Sequence, residues 1–275
     1  MPELPETETI ARDLDHELAG ARIESVNVIR SDVLRGVDAA ELDARLAGAT
    51  IARCWRRAKL VVIDLSSGDR VVVQPRFTGA LLIDTGELPE REHQYATVEF
   101  RLADGRALVY RDIRRLGTVA LMSPARFDAH EAVLGIEPLD PAFTAAHLSA
   151  LVRVSRRTIK QVLMDQRVIA GVGNIYANEA LWRAGIDPSR EAAAVGAEES
   201  AALRDGIVSV LTESIAHRGT SFRDYRDARG ERGDFVDRLA VYGRGGQPCL
   251  RCGRRLVATH AIDGRTTVLC VNCQK

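Results

Sequence analysis

Pro2 and Glu3 stand side by side near the start of the chain, and together they could perform covalent chemistry. Initiator methionines are usually removed before a small residue, and removal of Met1 would turn the nitrogen of Pro2 into a secondary amine. Because an α-amino group titrates near pH ~7.7, a useful fraction of this amine would be neutral and nucleophilic around neutrality. The sequence therefore predicts a covalent catalyst that begins at Pro2. The alternative is a frayed acidic terminus, which is what most chain starts are.

Lysine is scarce in this chain, and its positions are candidates for chemistry. Of the 38 basic residues, 35 are arginines, and the lysines are Lys59, Lys160 and Lys275. Arginine stays protonated, whereas a desolvated lysine can lose its proton or act as a compact charge. Lys59 and Lys160 lie in the interior of the sequence, so we interpret them as candidate proton-transfer or phosphate-binding residues. Chance retention is the alternative.

Four of the five cysteines form two close pairs near the end of the chain. Cys249 and Cys252 are separated by two residues, as are Cys270 and Cys273, and 17 residues lie between the pairs. This spacing suits a tetrahedral zinc site with four thiolate ligands, which is structural because it leaves no open coordination position. Disulfides are the alternative, and a cytosolic chain disfavours them. Cys54 stands alone in an apolar stretch and is predicted to fill the core.

Two further stretches have the residue types of phosphate-binding sites. Arg265 lies between the cysteine pairs, where it could clamp a phosphate or be an ordinary exposed arginine. Gly171, Gly173 and Asn174 precede a predicted helix, and the amide groups at a helix N-terminus favour anions. An ordinary helix cap is the alternative for this second stretch.

The charges are unevenly distributed along a chain whose formal net charge is zero. Residues 1–50 hold 11 acidic and 5 basic side chains, whereas residues 218–275 hold 12 basic and 6 acidic side chains. Basic clusters also occur between these regions, in the sequences RCWRRAK, YRDIRR and RVSRRTIK. Local clusters matter more for phosphate binding than the total charge does. A nucleic-acid partner is therefore a serious hypothesis, against the alternative of solvated surface charges.

The composition is that of a globular protein, with 46% hydrophobic and 28% charged residues. No apolar run approaches the ~20 residues of a membrane span, and the acidic start has no signal-peptide character. We therefore expect no membrane association and a cytoplasmic location.

The order of sequence patterns predicts an α+β fold with several domains. A helix is expected over residues 5–19, followed to about residue 122 by short β-branched runs with Gly-Asp and Asp-Gly turns, typical of an antiparallel sandwich. Helical patterns with caps and glycine stops dominate from about residue 125 to 217. A stretch rich in glycine and arginine comes next, and a short β-like module carries the paired cysteines.

These motifs together resemble the bacterial formamidopyrimidine-DNA glycosylases in order and spacing. The matching sequences are PELPE, RRAK, YRDIRRLG, GVGNIYANEAL, YGRGGQPC and the four paired cysteines. The resemblance implies an N-terminal catalytic β-sandwich with flanking helices over residues 1–124 and a helix–two-turns–helix DNA-binding domain over 125–218. It further implies a lesion-covering loop and connector over 219–244 and a Cys₄ zinc-finger β-hairpin over 245–275. DNA would bind in the cleft between the domains.

The resemblance assigns the catalytic roles to four residues. Pro2 would attack the anomeric carbon of the damaged nucleotide, and Glu3 would assist by proton transfer. Lys59 would handle protons, and Arg265 would serve the second elimination and contact a phosphate. A secondary amine yields an iminium that is cationic without protonation, so it can act as an electron sink for elimination.

The resemblance also implies a set of DNA contacts. His93, Arg114, Lys160 and Asn174 fall on DNA-contacting or site-lining positions, and Arg114 belongs to the wedge that fills the gap left by a flipped base. The chain departs from the family pattern at three positions. Phe77 replaces a usual methionine of the wedge, Leu116 replaces a usual phenylalanine, and Ser155 stands at a usual lysine position.

The implied activity is that of a bifunctional DNA glycosylase and AP lyase of base excision repair. It would excise 8-oxoguanine and formamidopyrimidines through a proline Schiff base and nick the strand by β,δ-elimination, acting as a zinc-containing monomer at the nucleoid. The stretch from Gly219 to Phe235 has the length of the loop that covers an oxidised purine in this family, so the resemblance implies oxidised purines as substrates. Two alternatives remain: a related glycosylase for oxidised pyrimidines, and a non-catalytic zinc-containing protein that binds damaged DNA.

Overall fold

A computed structural model describes residues 2–275, so the prediction that Met1 is removed lies outside the described residues. The chain divides into two compact units. The first unit comprises the residues up to Val133 together with His217–Asp234, and the second comprises Leu134–Ala216 together with Phe235–Lys275. The domain bounds predicted from the resemblance stay predictions.

The helices and strands of the first unit follow the predicted order. In chain order they are α1 (Leu4–Leu18), β1 (Ile23–Val28), β2 (Leu34–Arg35), α2 (Ala39–Leu46), β3 (Ile51–Arg57), β4 (Leu60–Leu65), β5 (Arg70–Gln74), β6 (Gly79–Asp84), α3 (Glu90–His93), β7 (Ala96–Leu102), β8 (Ala107–Asp112), β9 (Thr118–Met122) and α4 (Pro124–Glu131).

Two sheets and helix α1 enclose the core of the first unit. One sheet has the strand order β1-β7-β8-β6 and the other β2-β9-β5-β4-β3, and all pairs are antiparallel except β2 with β9. Helix α1 presents Ile10, Leu14 and Leu18 to this core at helical spacing. Tyr225 and Ala228, from the later segment 217–234, are buried in the same core. That segment is therefore an integral part of the first unit.

The second unit is helical and ends in a small hairpin. Its elements are α5 (Ala145–Arg153), α6 (Ile159–Met164), α7 (Asn174–Ala184), α8 (Ala197–Ala216), β10 (Val257–Thr259) and β11 (Thr267–Leu269). Helix α7 ends at Gly185, whose φ of +74° suits a residue without a β-carbon. The two short strands pair antiparallel and lie between the cysteine pairs. These elements confirm the predicted α+β fold class. Among residues 2–275, no helix is long and apolar enough to cross a membrane.

Candidate functional site

Pro2 and Glu3 are buried at the start of helix α1. Glu3 is the N-cap residue of this helix and is only 1% exposed. Its backbone N–H donates a hydrogen bond of 2.8 Å to the carboxylate of Glu6. Pro2 and Glu3 are therefore a fixed part of the first unit and do not have the exposure of a frayed end.

Glu6 joins the start of helix α1 to segment 217–234, although the sequence analysis did not single it out. One carboxylate oxygen accepts from Glu3 at 2.8 Å, and the other accepts from the backbone N–H of Thr220 at 2.7 Å. A β-carbon at Gly219 would lie 3.0 Å from the Glu6 side chain, so the segment approaches closely where it has no side chain. The only sequence signal for Glu6 is its position three residues after the N-cap, the spacing of a capping box.

Arg218 and Tyr225 attach the same segment to helix α1 at two more points. The Arg218 guanidinium donates to Asp13 of α1 at 2.6 Å and to Asp227 within the segment at 2.8 Å. The Tyr225 hydroxyl donates to the Arg218 carbonyl at 3.1 Å. These partly buried contacts hold the base of the segment against helix α1.

Lys59 lies in the turn between strands β3 and β4, and a neighbouring arginine holds this turn to helix α1. Arg56 donates to the Glu8 carboxylate of α1 at 2.7 Å and to the Ala58 carbonyl at 3.1 Å. Burial would raise the pKa of Glu8, but Arg56 and then Arg12 lower it below its usual value. Glu8 is thus an ion-pair anchor, and the first unit brings the Lys59 turn against the helix that begins with the Pro2–Glu3 pair.

The predicted wedge residues form an exposed group on the first unit. The Arg114 guanidinium lies 5.1 Å from the centre of the Phe77 ring, within the range of a cation–π contact. Phe77 is 44% exposed, and Leu116, two residues after Arg114, is 40% exposed. A contiguous exposed apolar group can mark an interaction surface, whereas single exposed apolar residues are common. The structure therefore brings Phe77 and Arg114 together and leaves Leu116 available beside them.

The Asp112 carboxylate holds the backbone next to the wedge residues in place, and the sequence analysis did not identify Asp112. Its buried carboxylate accepts from the Thr78 hydroxyl at 2.5 Å, from the Gly117 backbone N–H at 2.8 Å and from the Arg114 backbone N–H at 3.2 Å. These bonds join the turn after Phe77 to the loop that carries Arg114. An aspartate at the end of a β-like run and before a turn was the available sequence signal.

His93 lies apart from these groups in the short helix α3. Its Nε2 atom is 3.2 Å from the Asp84 carboxylate. The pair lines an open cavity together with Glu24, Glu99 and Arg101. The predicted contact of His93 with DNA stays a prediction.

Helix α7 begins at Asn174 and lies along strand β11 of the hairpin. The Asn174 side-chain amide donates to the Thr266 carbonyl at 3.0 Å, and the Asn178 side-chain oxygen accepts from the Val268 backbone N–H at 2.7 Å. Gly173, the N-cap residue, provides no side-chain cap. The orientation of Asn174 is therefore set by the residue that follows Arg265.

Lys160 is completely buried and supports the same hairpin. Its Nζ atom donates to the Thr267 hydroxyl at 2.7 Å and lies 3.2 Å from the Asp263 carboxylate. That carboxylate also accepts from the Arg265 backbone N–H at 3.0 Å. In the described structure Lys160 thus acts on Arg265 through Asp263. Its predicted contact with DNA stays a prediction.

Arg265 itself is exposed and shares a cavity with a second arginine, Arg157. Gln161, Asp165 and Asp263 also line this cavity. Arg157 is paired with Asp165 at 2.8 Å. The sequence analysis noted the basic run around Arg157 without selecting this residue. Two guanidinium groups at one cavity are suited to a phosphate.

Glu179 was also missed by the sequence analysis. Its buried carboxylate accepts from the backbone N–H groups of Ala240, Val241 and Tyr242 at 2.8 to 2.9 Å. It thereby holds the chain that leads into the first cysteine pair against helix α7.

The four paired cysteines come together in a cluster that fits a metal ion. All four sulfurs lie within 4.8 Å of one another, with Cys249 and Cys273 at 4.0 Å and Cys252 and Cys270 at 3.5 Å. Metal–sulfur bonds of about 2.3 Å in a tetrahedron place the sulfurs about 3.8 Å apart. The five cysteines are all free, so the disulfide alternative is not what the structure shows.

The environment of the cluster favours thiolate at Cys249. Burial acts to raise its pKa, but the backbone N–H groups of Arg251 and Cys252 and the indole of Trp182 lower the pKa to about 6. The Cys273 thiol donates a hydrogen bond to the sulfur of Cys252, and this raises the pKa of Cys273 to about 12. Deprotonated sulfur is the form that binds a metal.

Cys54 is not part of the cysteine cluster. It is 5% exposed in the core of the first unit, and burial raises its pKa to about 12. The prediction that it fills the core is confirmed.

Comparisons with known proteins agree with this geometry. The model of the formamidopyrimidine-DNA glycosylase N-terminal domain matches residues 1–119, and the model of the H2TH domain of the same enzymes matches residues 134–226. Formamidopyrimidine-DNA glycosylase from Moorella thermoacetica is 45% identical over 258 residues, which are 93% of each chain. The enzyme from Xanthomonas campestris pv. campestris strain B100 is 44% identical over 278 residues, covering 100% of both chains.

Solved structures of similar proteins contain DNA. A complex between Lactococcus lactis Fpg and DNA with an abasic site has a TM-score of 0.91 and 30% identity, with 99% of both chains covered. A complex of a mutant of that protein with Fapy-dG-containing DNA has a TM-score of 0.92 and 30% identity over 100% of both chains. A further complex contains an oxidised pyrimidine, with a TM-score of 0.91 and 30% identity over 100% of both chains.

Proposed function

Because this chain belongs to the formamidopyrimidine-DNA glycosylase family, we propose that it is a bifunctional DNA glycosylase and AP lyase of base excision repair. The observation that carries the proposal is the buried Pro2–Glu3 pair at the start of α1, which Glu6 joins to segment 217–234. A nucleophile, a proton-transfer group and a segment able to cover a base are thus parts of one unit.

The proposed reaction begins with the nitrogen of Pro2, after removal of Met1. Its lone pair forms a bond to C1′ of the damaged nucleotide, and the glycosidic bond breaks, leaving its electron pair with the base, which takes up a proton. The sugar ring then opens with proton transfer through Glu3, and the Pro2 nitrogen becomes an iminium. Lys59 serves as a further proton carrier in this first stage. A retained Met1 would make the Pro2 nitrogen an amide without an available lone pair.

Elimination follows from the iminium. Loss of a proton from C2′ sends electrons toward the iminium and expels the 3′ phosphate, and a second elimination expels the 5′ phosphate. Arg265 is proposed to stabilise the leaving phosphate of the second step, with Arg157 beside it. Asn174, at the start of α7, is proposed to bind a neighbouring phosphate.

The wedge of Phe77, Arg114 and Leu116 is proposed to fill the space of the flipped nucleotide. Flipping costs a few kcal/mol, and inserted apolar side chains replace part of the lost stacking. His93 is proposed as an additional contact between the first unit and DNA. Phe77 and Leu116 keep the wedge apolar but change its shape. We therefore propose that these two residues alter the preference for the base opposite the lesion.

We further propose that the Cys₄ cluster binds one zinc ion with a structural role. Cys249, Cys252, Cys270 and Cys273 would hold the ion, and their sulfur spacing supports this. When bound, the ion supplies a rigid crosslink at the base of the hairpin and no reactive position. Arg265, Thr266 and Thr267 would then keep a fixed place on that hairpin.

Oxidised purines are the proposed main substrates, because the stretch from Gly219 to Phe235 has the length of the loop that covers an oxidised purine in the family that the sequence resembles. An oxidised-pyrimidine activity is the second candidate, and the complex of Lactococcus lactis Fpg with an oxidised pyrimidine favours it. A non-catalytic binder of damaged DNA is disfavoured, since such a protein has no use for Pro2, Glu3, Lys59 and Arg265 together. A monomer acting at the nucleoid completes the proposal.

A panel of duplexes with single lesions tests the proposed substrate preference. Each duplex carries 8-oxoguanine, a formamidopyrimidine, an oxidised pyrimidine or an abasic site, and strand cleavage is measured under single-turnover conditions. We expect the two purine lesions to be excised faster than the pyrimidine lesion, and the abasic site to be nicked. Faster excision of the pyrimidine lesion would replace the proposed oxidised-purine activity by an oxidised-pyrimidine activity. A protein that binds every lesion and cleaves none would establish the non-catalytic alternative.

A further inference from the structure

Arg111 makes contacts that the proposed reaction does not use. It lies in strand β8 and is only 3% exposed. Its guanidinium donates to the Thr78 carbonyl at 3.0 Å and to the Asp224 carbonyl at 3.1 Å, and its Nε atom lies 2.9 Å from the Glu92 carboxylate of α3. A buried guanidinium is costly unless a carboxylate and further acceptors surround it. Arg111 has such partners, and they come from three separate parts of the first unit.

Thr78 is the residue at which this contact meets the wedge. It is buried and follows Phe77 directly. Its hydroxyl donates to the Asp112 carboxylate at 2.5 Å and accepts from the Arg114 backbone N–H at 3.0 Å. The Thr78 side chain is thus bound to the loop that carries Arg114, while the Thr78 carbonyl is bound to Arg111. Arg111 and Asp112 are consecutive in β8, so their side chains leave the strand on opposite faces and hold Thr78 at two points.

The backbone around the wedge needs support of this kind. Arg76, just before Phe77, has a φ of +50°, and Arg115, between Arg114 and Leu116, has a φ of +52°. This left-handed conformation is unfavourable for a residue with a β-carbon and persists where surrounding contacts enforce it. The geometry of the wedge is therefore set by the buried bonds beneath it and not by local backbone preference.

The bond to Asp224 holds an exposed part of segment 217–234. Residues 222–224 are exposed and lie between the buried residues Ser221 and Tyr225. The Ser221 hydroxyl donates to the Tyr225 carbonyl at 3.2 Å and closes this turn at its base. An exposed turn makes few contacts of its own, so a bond to a buried guanidinium restrains its opening.

We propose that Arg111 couples the wedge to segment 217–234, so that the turn after Phe77 and the turn at Asp224 keep their places together. This inference rests on the proposed function, in which the wedge replaces a flipped nucleotide and the segment covers its base. Arg111 is a positioning residue that acts through Thr78 and Asp224. The coupling serves removal of a base. Cleavage at a site that has already lost its base does not need it, because there is no base to cover.

Arg111→Lys is the variant that tests this coupling. Lysine keeps the positive charge beside Glu92 but lacks the planar fork that reaches two carbonyls at once. Arg45→Lys is the matched control, since it removes the fork from an exposed ion pair with Asp69 on α2. Both changes conserve the charge of the protein.

The first measurement compares base removal with strand cleavage under single-turnover conditions. One duplex carries 8-oxoguanine, and the other carries a preformed abasic site. In Arg111→Lys, excision should fall about 10-fold, the effect of losing one hydrogen bond to a charged group, while nicking of the abasic site stays near the wild-type rate. Arg45→Lys should match the wild type in both reactions. Equal losses in both reactions, or no loss in either, would overturn the inference.

Hydrogen exchange of the full-length protein without DNA tests the contact independently of activity. Thr78→Val removes the hydroxyl bonds to Asp112 and Arg114 and leaves Arg111 in place. Amide exchange over residues 222–226 should be faster in Arg111→Lys and in Thr78→Val, and unchanged in Arg45→Lys.

Wild-type exchange over residues 222–226 in Thr78→Val would overturn the coupling, even if Arg111→Lys does not fold. A wild-type protein that neither excises 8-oxoguanine nor nicks the abasic site would refute the proposed function. The exchange rates of the two variants would then still decide whether Arg111 joins the two turns.

Discussion

Glu3 in the first unit and Arg265 in the second each donate a backbone hydrogen bond to a charged side chain, but the apolar clusters of the two regions differ greatly in size. Behind Glu3 and Glu6 lies a core built from helix α1, two sheets and segment 217–234. Behind Arg265 lies a cluster of five buried residues, two of which are Cys249 and Cys270. Apolar burial can stabilise the first arrangement, whereas so small a module usually needs a crosslink or a metal.

The two supports also differ in chemistry. The Glu6 carboxylate accepts hydrogen bonds from backbone N–H groups in two distant parts of the chain. The Lys160 ammonium group contacts a hydroxyl and a carboxylate of one hairpin. The first arrangement joins the proposed reactive terminus to the segment proposed to cover the base, and the second positions Arg265, the proposed phosphate ligand. The first unit should therefore control excision, and the second should control DNA binding.

Removal of the metal should produce the largest difference between the two units. Chelation, or Cys252→Ser, should release about one metal ion per chain and abolish DNA binding, because the hairpin loses its crosslink. The β-sheet signal and the thermal unfolding of the first unit should persist. Metal content and DNA affinity measured on the same samples test this, with re-added zinc as the control. A fully active preparation without metal would contradict the claim that the second unit needs the metal to bind DNA.

Glu3→Gln should separate binding from chemistry within the first unit. The substitution removes the proton-transfer group with little change in bulk, so DNA affinity should stay near the wild-type value. Base excision should fall by about 10²- to 10⁴-fold, the usual contribution of a positioned acid or base. Single-turnover excision and equilibrium binding on one lesion duplex measure the two effects. Equal losses in both would mean that Glu3 is chiefly structural.

Glu6→Gln should have a smaller effect on the same unit. A glutamine amide can accept at only one of its two ends, so its NH₂ group must face the N–H of either Glu3 or Thr220. One buried N–H is then unsatisfied, at a cost of about 1–3 kcal/mol. We expect excision of a lesion to fall about 10-fold, with DNA affinity almost unchanged. Glu198→Gln, an equal charge change on an exposed residue of α8, is the control.

The outcome for Glu6 decides whether the terminus and segment 217–234 are coupled. If Glu6→Gln lowers thermal stability but leaves the excision rate at the wild-type value, the carboxylate holds the fold and does not position the reactive pair.

Arg265→Ala should have a modest effect, and it should be visible in the salt dependence of DNA binding. Each phosphate contact contributes about −0.9 to the slope of log affinity against log salt concentration. Removing Arg265 should reduce the magnitude of that slope by about 1 and should also impair the second elimination. Arg45→Ala, on the exposed face of α2 and paired with Asp69, is the control. A slope unchanged from the wild type would remove Arg265 from the phosphate contacts.

The residues predicted correctly from the sequence are those whose signal is local. The spacing of Cys249, Cys252, Cys270 and Cys273 predicted a cluster because only two residues separate the members of each pair. The apolar period of residues 5–19 likewise predicted helix α1, and the structure has it at Leu4–Leu18. Such signals are set by backbone geometry within one or two turns of the chain.

The residues that were missed act over long separations. Glu6 meets Thr220 across 214 positions, and Asp112 meets Thr78 across 34. An isolated glutamate or aspartate in the sequence resembles any solvated acid, and only packing shows that its carboxylate is buried among N–H donors. Lys160 illustrates the same limit. Its rarity marked it as special, but the sequence could not show that Asp263 and Thr267 surround its Nζ atom.

Borohydride trapping on abasic DNA tests the central claim most directly, because reduction captures an iminium and leaves non-covalent complexes unaffected. The protein is prepared in two forms, one beginning at Pro2 and one confirmed by mass spectrometry to retain Met1. The account predicts a covalent adduct at the Pro2 nitrogen for the first form and no adduct for the second, although both bind the DNA. Pro2→Gly, which retains an amine, should keep part of the trapping. Efficient trapping and base excision by the form that retains Met1 would contradict the account.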